Sequence, residues 1–181
     1  FEDLEPMIYE VVVCPECYYA RSNKEFDHLQ EAEKKQLADT CIERKSRYTA
    51  NQSEMHTVNY AITAHKLAVS CYESVITPKY ADKIAGCWLR MAWFYDDMGN
   101  QEWSRRARES ALMHYKAAYS VGTGSPENDH KIEYLLGIIS ASLGSMDEAR
   151  DYMFKALRRL DGHKAIRDMA RDALEDLKKA K

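Results

Sequence analysis

The sequence predicts a mainly α-helical chain, an array of antiparallel helix pairs behind a short N-terminal strand and knuckle. Three observations carry this. Only 7 glycines and 4 prolines occur in 181 residues, too few for an all-β fold rich in turns. From Thr57 onward apolar residues recur at helical spacing, and most runs stop at a glycine, an asparagine or a proline. Hydrophobic residues make up 45% and charged residues 30%, which excludes bulk disorder and gives each run one face to bury and one to solvate.

The elements follow in order. Residues 7–13, Met-Ile-Tyr-Glu-Val-Val-Val, are β-branched and aromatic and read as a short strand. It runs into Cys14-Pro-Glu-Cys17. Residues 24–48 place Phe26, Leu29, Leu37, Cys41 and Ile42 among many charges, which predicts one or two amphipathic helices. Asn51-Gln-Ser53 reads as a linker. Thr57–Val75 carries Ala61, Ala64, Ala68, Cys71, Tyr72 and Val75 on one face and stops before Pro78. Helices are then expected over Ala81–Met98, Gln101–Val121, Asp129–Leu143, Met146–Leu160 and His163–Lys179. The last carries Ile166, Met169, Ala170, Ala173, Leu174 and Leu177, the stripe of a helix docked on a neighbour.

Two of these pairs repeat each other. Trp88-x2-Met91-Ala92-x2-Tyr95 with Gly99, then Ala111-x3-Tyr115-x2-Ala118, fits the two helices of a tetratricopeptide repeat. Leu136-Gly137-x2-Ser140 with Gly144, then Ala149-x3-Met153-x2-Ala156, is a second copy. There Glu133 stands in place of the large first residue. Gly99 and Gly144 are 45 residues apart, against a repeat of about 34; an extra heptad and four loop residues account for the difference. Ala68-x3-Tyr72-x2-Val75 reads as a preceding half repeat, and the final helix as a cap. The expected organisation is therefore a strand and knuckle over 1–23, a connecting helical segment over 24–56 and a tetratricopeptide-like domain over 57–181. That domain is expected to fold without the knuckle.

Net charge is −3, from 26 basic and 29 acidic residues. Residues 1–17 hold five acids and no Lys or Arg, a poor match for a phosphate backbone. No run reaches the ~18 apolar residues of a membrane span and no signal peptide is visible, so a cytoplasmic setting is expected. The chain starts at Phe1, so a longer natural chain is expected.

The string Tyr9-Glu10-Val-Val-Val-Cys14-Pro-Glu-Cys17-x-Tyr19-Ala20, followed by Ala-rich helices with Trp88-Leu-Arg-Met-Ala-Trp93-x-Tyr95-x3-Gly99, resembles the bacterial family called domain of unknown function 2225. The resemblance covers nearly the whole chain. In that family an earlier Cys-Pro-x-Cys pair precedes the one seen here, and a Gly usually follows the second Cys, where this chain has Tyr18. The family has no established activity, so the resemblance implies architecture and not chemistry.

Cys14 and Cys17 are the strongest chemical signal. A C-x-x-C knuckle lets two thiolates reach one Zn²⁺, and a closed structural site needs four ligands. Zinc is the expected cofactor, in a site left incomplete within this chain. The favoured arrangement is a four-Cys ribbon whose first pair lies upstream of Phe1; a Cys14, Cys17, His28, Cys41 set is the alternative within the chain. A metal-free pair ranks lower, and a redox pair, which would need a βαβ context, lower still. Cys41, Cys71 and Cys87 read as small buried hydrophobes. The six histidines read as surface or helix-end residues, and Arg105, Arg106 and Arg108 as a solvated face. No nucleophile–base motif, P-loop or dinucleotide glycine pattern occurs, so no enzymatic activity is expected.

The repeat register points to a binding surface. The first helix of each pair lines a concave groove, which places Leu89, Trp93, Asp96 and Asp97 opposite Lys131, Tyr134 and Ile138. Trp and Tyr are the side chains that make binding hot spots. The leading expectation is an interaction module that holds a partner polypeptide through Trp93, Asp96, Asp97, Lys131 and Tyr134. A nucleic-acid-associated zinc ribbon is the alternative, and an uncharacterised enzyme ranks last.

Overall fold

The computed structural model describes residues 6–75 and 78–179. Of the acidic front end, Glu2, Asp3 and Glu5 lie outside the described residues. The described residues open with a 3-10 turn at Pro6–Tyr9, then β1 (Val11–Val13) and β2 (Ala20–Ser22) pair antiparallel, with Val11 opposite Ser22 and Val13 opposite Ala20. The strand expected over 7–13 is thus half as long. Its partner explains why: the Asn23 N–H closes the ladder on the Glu10 carbonyl at 2.9 Å, and the chain then turns, so residues 7–9 have no strand to pair with. β2 itself has no β-branched residue to announce it.

The connecting segment holds α1 (Glu31–Asp39) and α2 (Cys41–Arg47). A capping box between Gln30 and Glu33 starts α1. The stretch before it, residues 23–30, is turn and irregular chain rather than helix. Then comes α3 (Val58–Glu73), whose first turn is capped by Thr57 accepting the Tyr60 N–H. The array continues as α4 (Ala81–Asp97), α5 (Gln101–Val121), α6 (Pro126–Ser142), α7 (Met146–Arg158) and α8 (Lys164–Lys179).

Short loops make α4 and α5, and α6 and α7, antiparallel neighbours. Each pair turns at a left-handed glycine, Gly99 with φ +69° and Gly144 with φ +87°. The spaced small and large residues of the second helices face inward. Ala111, Tyr115 and Ala118 are buried, and so are Ala149, Met153 and Ala156. The extra heptad lies in α5, which has 21 residues against 13 in α7. Glu133 is not a gap in the pattern. It is 3% exposed, and Arg159 grips it through two hydrogen bonds of 2.9 and 2.6 Å while the Tyr119 hydroxyl donates to it. An ion pair replaces an aromatic and ties α5, α6 and the end of α7 together.

The core runs along the array in three clusters. The first joins Val11, Val13 and Ala20 of the hairpin to Ala61, Leu67 and Cys71 of α3 and Met91 and Phe94 of α4. The second lies between α4, α5 and α6, and the third between α7 and α8 around Met153, Ala156, Ala170 and Leu174. α3 is covered on both sides, by hairpin and by α4, so the hairpin shares a core with the helices. Among the described residues no helix is long and apolar enough to cross a membrane.

Several residues depart from expectation. His65 and His130 are fully buried, not surface residues. Each spends one ring nitrogen on a backbone carbonyl, of Ala61 and Ala156 respectively, which is what makes burial of an imidazole tolerable. Cys41 is half-buried at the start of α2, where the corner with α1 leaves it partly open; Cys71 and Cys87 are buried. Arg105 and Arg106 form exposed i,i+4 pairs with Glu109 and Glu102. Arg108 instead turns inward onto Asp96, because α5 faces the end of α4 there.

Candidate functional site

The knuckle is the tip of the β1–β2 hairpin. The Cys14 N–H donates to the Tyr19 carbonyl at 2.8 Å, and the Tyr18 N–H to the Cys14 carbonyl at 2.9 Å. Tyr18 takes the left-handed conformation, φ +56°, where a Gly would be free of strain; a residue with a Cβ costs about 1–2 kcal/mol there. Its ring packs on the core and its hydroxyl accepts the Ala50 N–H at 3.4 Å, which holds it in place. Arg44, 2% exposed, braces the loop from below: it donates to the Leu37 carbonyl at 2.7 Å and reaches the Cys17 carbonyl at 3.5 Å.

The backbone N–H groups of Cys17, first, and Glu16 point at the Cys14 sulfur and hold its thiol below the usual range. Burial pushes the Cys17 thiol up. N–H groups aimed at a sulfur favour the thiolate form that zinc binds, which holds for Cys14 and is opposed by burial at Cys17. Among the described residues no three His, Cys, Asp or Glu side chains gather into a metal-holding group. The alternative set with His28 and Cys41 is therefore not assembled among the described residues, and His28 is exposed.

The helix faces place the other expected residues. Gly86, Arg90, Trp93 and Asp97 follow one another along one face of α4, three or four residues apart. Trp93 is half-buried, with the Arg90 guanidinium 5.8 Å from its ring centre. Asp97 is exposed. Asp96 points elsewhere: Ser104 donates to it at 2.6 Å and Arg108 forms an ion pair with it, which keeps its carboxyl below the usual range. Its charge is spent on joining α4 to α5. Leu89 is buried, 3% exposed, beneath this face. On α6, Lys131 is exposed, Ile138 is 38% exposed, and Tyr134 is half-buried against the α7–α8 core.

A cleft of about 170 Å³ opens between the hairpin and the faces of α4 and α6. Lys131 lines it, together with residues that were not anticipated: Glu10 from the hairpin, His65 from α3, Asp82, Gly86 and Arg90 from α4, and Tyr115 from α5. His65 lies at its inner wall. The Ala61 carbonyl can only accept, so Nδ1 carries the proton at 2.8 Å from it, and Nε2 is left as a bare acceptor. Nε2 is buried without a hydrogen-bond partner among the described residues. Burial holds the ring neutral by pushing its pKa down to about 4. An unmet buried acceptor costs about 1–3 kcal/mol.

Gly86 is the second anomaly. It sits in the middle of α4, where glycine costs about 1 kcal/mol relative to alanine. A Cβ there would meet only the Tyr115 hydroxyl at 3.7 Å and an Arg90 nitrogen at 3.8 Å, ordinary contact distances. No packing requirement of the protein itself calls for glycine; the methyl group would instead occupy the cleft. The available signals were a glycine inside a helical run and a histidine inside an apolar one. Neither names a cleft until α3, α4 and α6 are brought together.

The chain as a whole is similar to known proteins. A family model described as "Uncharacterized protein conserved in bacteria (DUF2225)" matches residues 1–177. A protein of Borreliella burgdorferi described as "Uncharacterized protein" is 28% identical over 127 residues, which is 66% of this chain and 45% of that protein. The chain thus spans less than half the length of that relative. No solved structure matches the chain.

Proposed function

The chain belongs to the DUF2225 family of uncharacterised bacterial proteins, and from that premise we propose that it is a non-enzymatic interaction module that holds a partner polypeptide on the face shared by α4 and α6. The observation that supports this is Trp93. It sits on the α4–α5–α6 core yet stays half open, on the same face of α4 as Asp97, while Lys131 and Ile138 of α6 are exposed and Tyr134 is half-buried. An indole left open on a rigid helical scaffold is the kind of anchor that dominates binding energy. With Asp96 committed to Arg108, the charges offered to a partner are Asp97 and Lys131, one of each sign, so the partner segment carries an apolar anchor flanked by both signs. The pairs α4–α5 and α6–α7, with their matched small residues and glycine stops, favour the tetratricopeptide-like reading of this scaffold.

The knuckle completes the proposal. Cys14 and Cys17 supply one half of a structural zinc site, and the other two thiolates come from a second Cys-x-x-Cys pair outside residues 1–181. A zinc ribbon of this kind also occurs in nucleic-acid-associated proteins, but the acids of residues 1–17 disfavour a phosphate backbone.

Site-directed photo-crosslinking tests the groove. A crosslinker at Ile138 should capture a discrete polypeptide, and Trp93→Ala should abolish that capture. A crosslinker at Met113, exposed on α5, serves as control. Equal capture from both positions, or capture that survives Trp93→Ala, rejects the proposal.

A further inference from the structure

The cleft carries more than the polypeptide face beyond it. Three features of it stand together: the bare Nε2 of His65, the Tyr115 hydroxyl and the open space over Gly86. The Tyr115 hydroxyl stands 3.7 Å from where a Cβ on Gly86 would lie, on a residue that is 5% exposed. A buried acceptor without a partner and a neighbouring hydroxyl on one small concavity, with glycine where a methyl would project into it, mark a place shaped around a ligand.

The charges describe that ligand. Glu10 and Arg90 pair with each other, and Lys83 pairs with Glu25. This leaves the Asp82 carboxylate and the Lys131 ammonium. Asp82 accepts the Asn128 amide at 3.1 Å, and neither Asp82 nor Lys131 has an ion pair among the described residues. Asn128 and Lys131 are one turn apart on α6, so Asp82 and Lys131 stand at the same end of the cleft. One free anion beside one free cation suits a zwitterionic head. At the other end, about 12 Å along α4 at 1.5 Å per residue, Arg90 and Glu10 lie near His65. His65 Nε2 accepts only, so the far end of the ligand must donate. A carboxylate there would meet the Nε2 lone pair, and an ammonium would meet Arg90. A neutral primary amide meets both demands: its N–H donates to Nε2 and its oxygen accepts from Tyr115 or Arg90.

We propose that this cleft binds a free α-amino acid with a side-chain amide, of the glutamine or asparagine class. Its ammonium faces Asp82, its carboxylate faces Lys131, and its side chain passes over Gly86 to His65. The cleft volume of about 170 Å³ suits a molecule of this size and lies below the ~300–1,000 Å³ of drug-sized sites.

The test uses the full chain and the twenty free L-amino acids at millimolar concentration, first by thermal shift and then by isothermal titration. Glutamine or asparagine should raise the melting temperature, and glutamate and aspartate should bind at least about tenfold more weakly. The N-acetyl and α-amide derivatives of the preferred amino acid should lose about tenfold or more. Gly86→Ala should melt higher than wild type and lose binding, because the methyl group supports the helix and projects into the path of the ligand's side chain. His65→Phe should remove the preference for an amide over methionine. No melting shift with any amino acid, stronger binding of glutamate than of glutamine, undiminished binding by the α-amide, or wild-type binding by Gly86→Ala would each overturn the proposal. These outcomes are independent of the crosslinking at Ile138.

Discussion

Two buried histidines and two helix-packed glycines account for much of the residue-scale behaviour. A Cβ on Gly162 would lie 1.8 Å from Nδ1 of His130, a ring held at its other nitrogen by the Ala156 carbonyl. The ring cannot withdraw, so Gly162→Ala should cost about 1–3 kcal/mol or more. Gly137 offers the contrast. Its Cβ would meet Met153 at 2.7 Å, but methionine has three rotatable bonds, and the helix gains from alanine. Gly137→Ala should therefore stay within about 1 kcal/mol of wild type. Urea unfolding of both variants checks this; equal losses would show that rigidity of the neighbour does not decide the outcome. His65 adds a pH dependence. Its folded pKa of about 4 lies below the ordinary value of 6.5, so between these pH values the unfolded chain binds the extra proton. Stability should fall as pH drops through that window, by up to about 3 kcal/mol. His65→Phe should flatten the curve over pH 6.5 to 4, measured by melting against pH.

At the scale of elements, the array depends on small residues where helices meet. Ala111 of α5 is fully buried in the cluster it shares with Ala85 and Leu89 of α4. Ala111→Leu should push the pair apart at a cost of about 1–3 kcal/mol, read as a lower denaturation midpoint with the slope unchanged. A changed slope would mean that the array no longer unfolds as one unit. The same spacing made the second helices readable in advance, because a small residue at every close approach leaves a mark at fixed intervals. The first helices were less legible. Glu133 breaks the apolar pattern and is explained only by Arg159, 26 residues later.

For the whole molecule, the position of the hairpin matters most. Ala61, Ala64, Ala68 and Cys71 of α3 are at most 1% exposed, and part of that cover comes from β1 and β2. Deleting residues 1–23 should uncover α3 and abolish cooperative unfolding. A chain ending at residue 161 should lose only the small cluster of Ala170 and Leu174 on α7 and still melt cooperatively at lower temperature. Calorimetry of the two truncations decides. Intact cooperativity without the hairpin would instead bear out the expectation that residues 57–181 fold unaided.

The sequence by itself determined the helices, their stops and their pairing, because helical period, capping and small-residue spacing are local properties written every three or four positions. It also determined where the knuckle lies, since Cys14 and Cys17 need only each other's spacing. Tertiary structure decided everything that depends on separate segments meeting. It spent Asp96 on Arg108, shortened the first strand by giving it a three-residue partner, and buried two histidines beneath backbone carbonyls. It also assembled the cleft from Glu10, His65, Gly86, Tyr115 and Lys131, residues from five elements or turns of the chain. Such a constellation has no sequence period, because unmet hydrogen bonds and empty space exist only once the walls are in place.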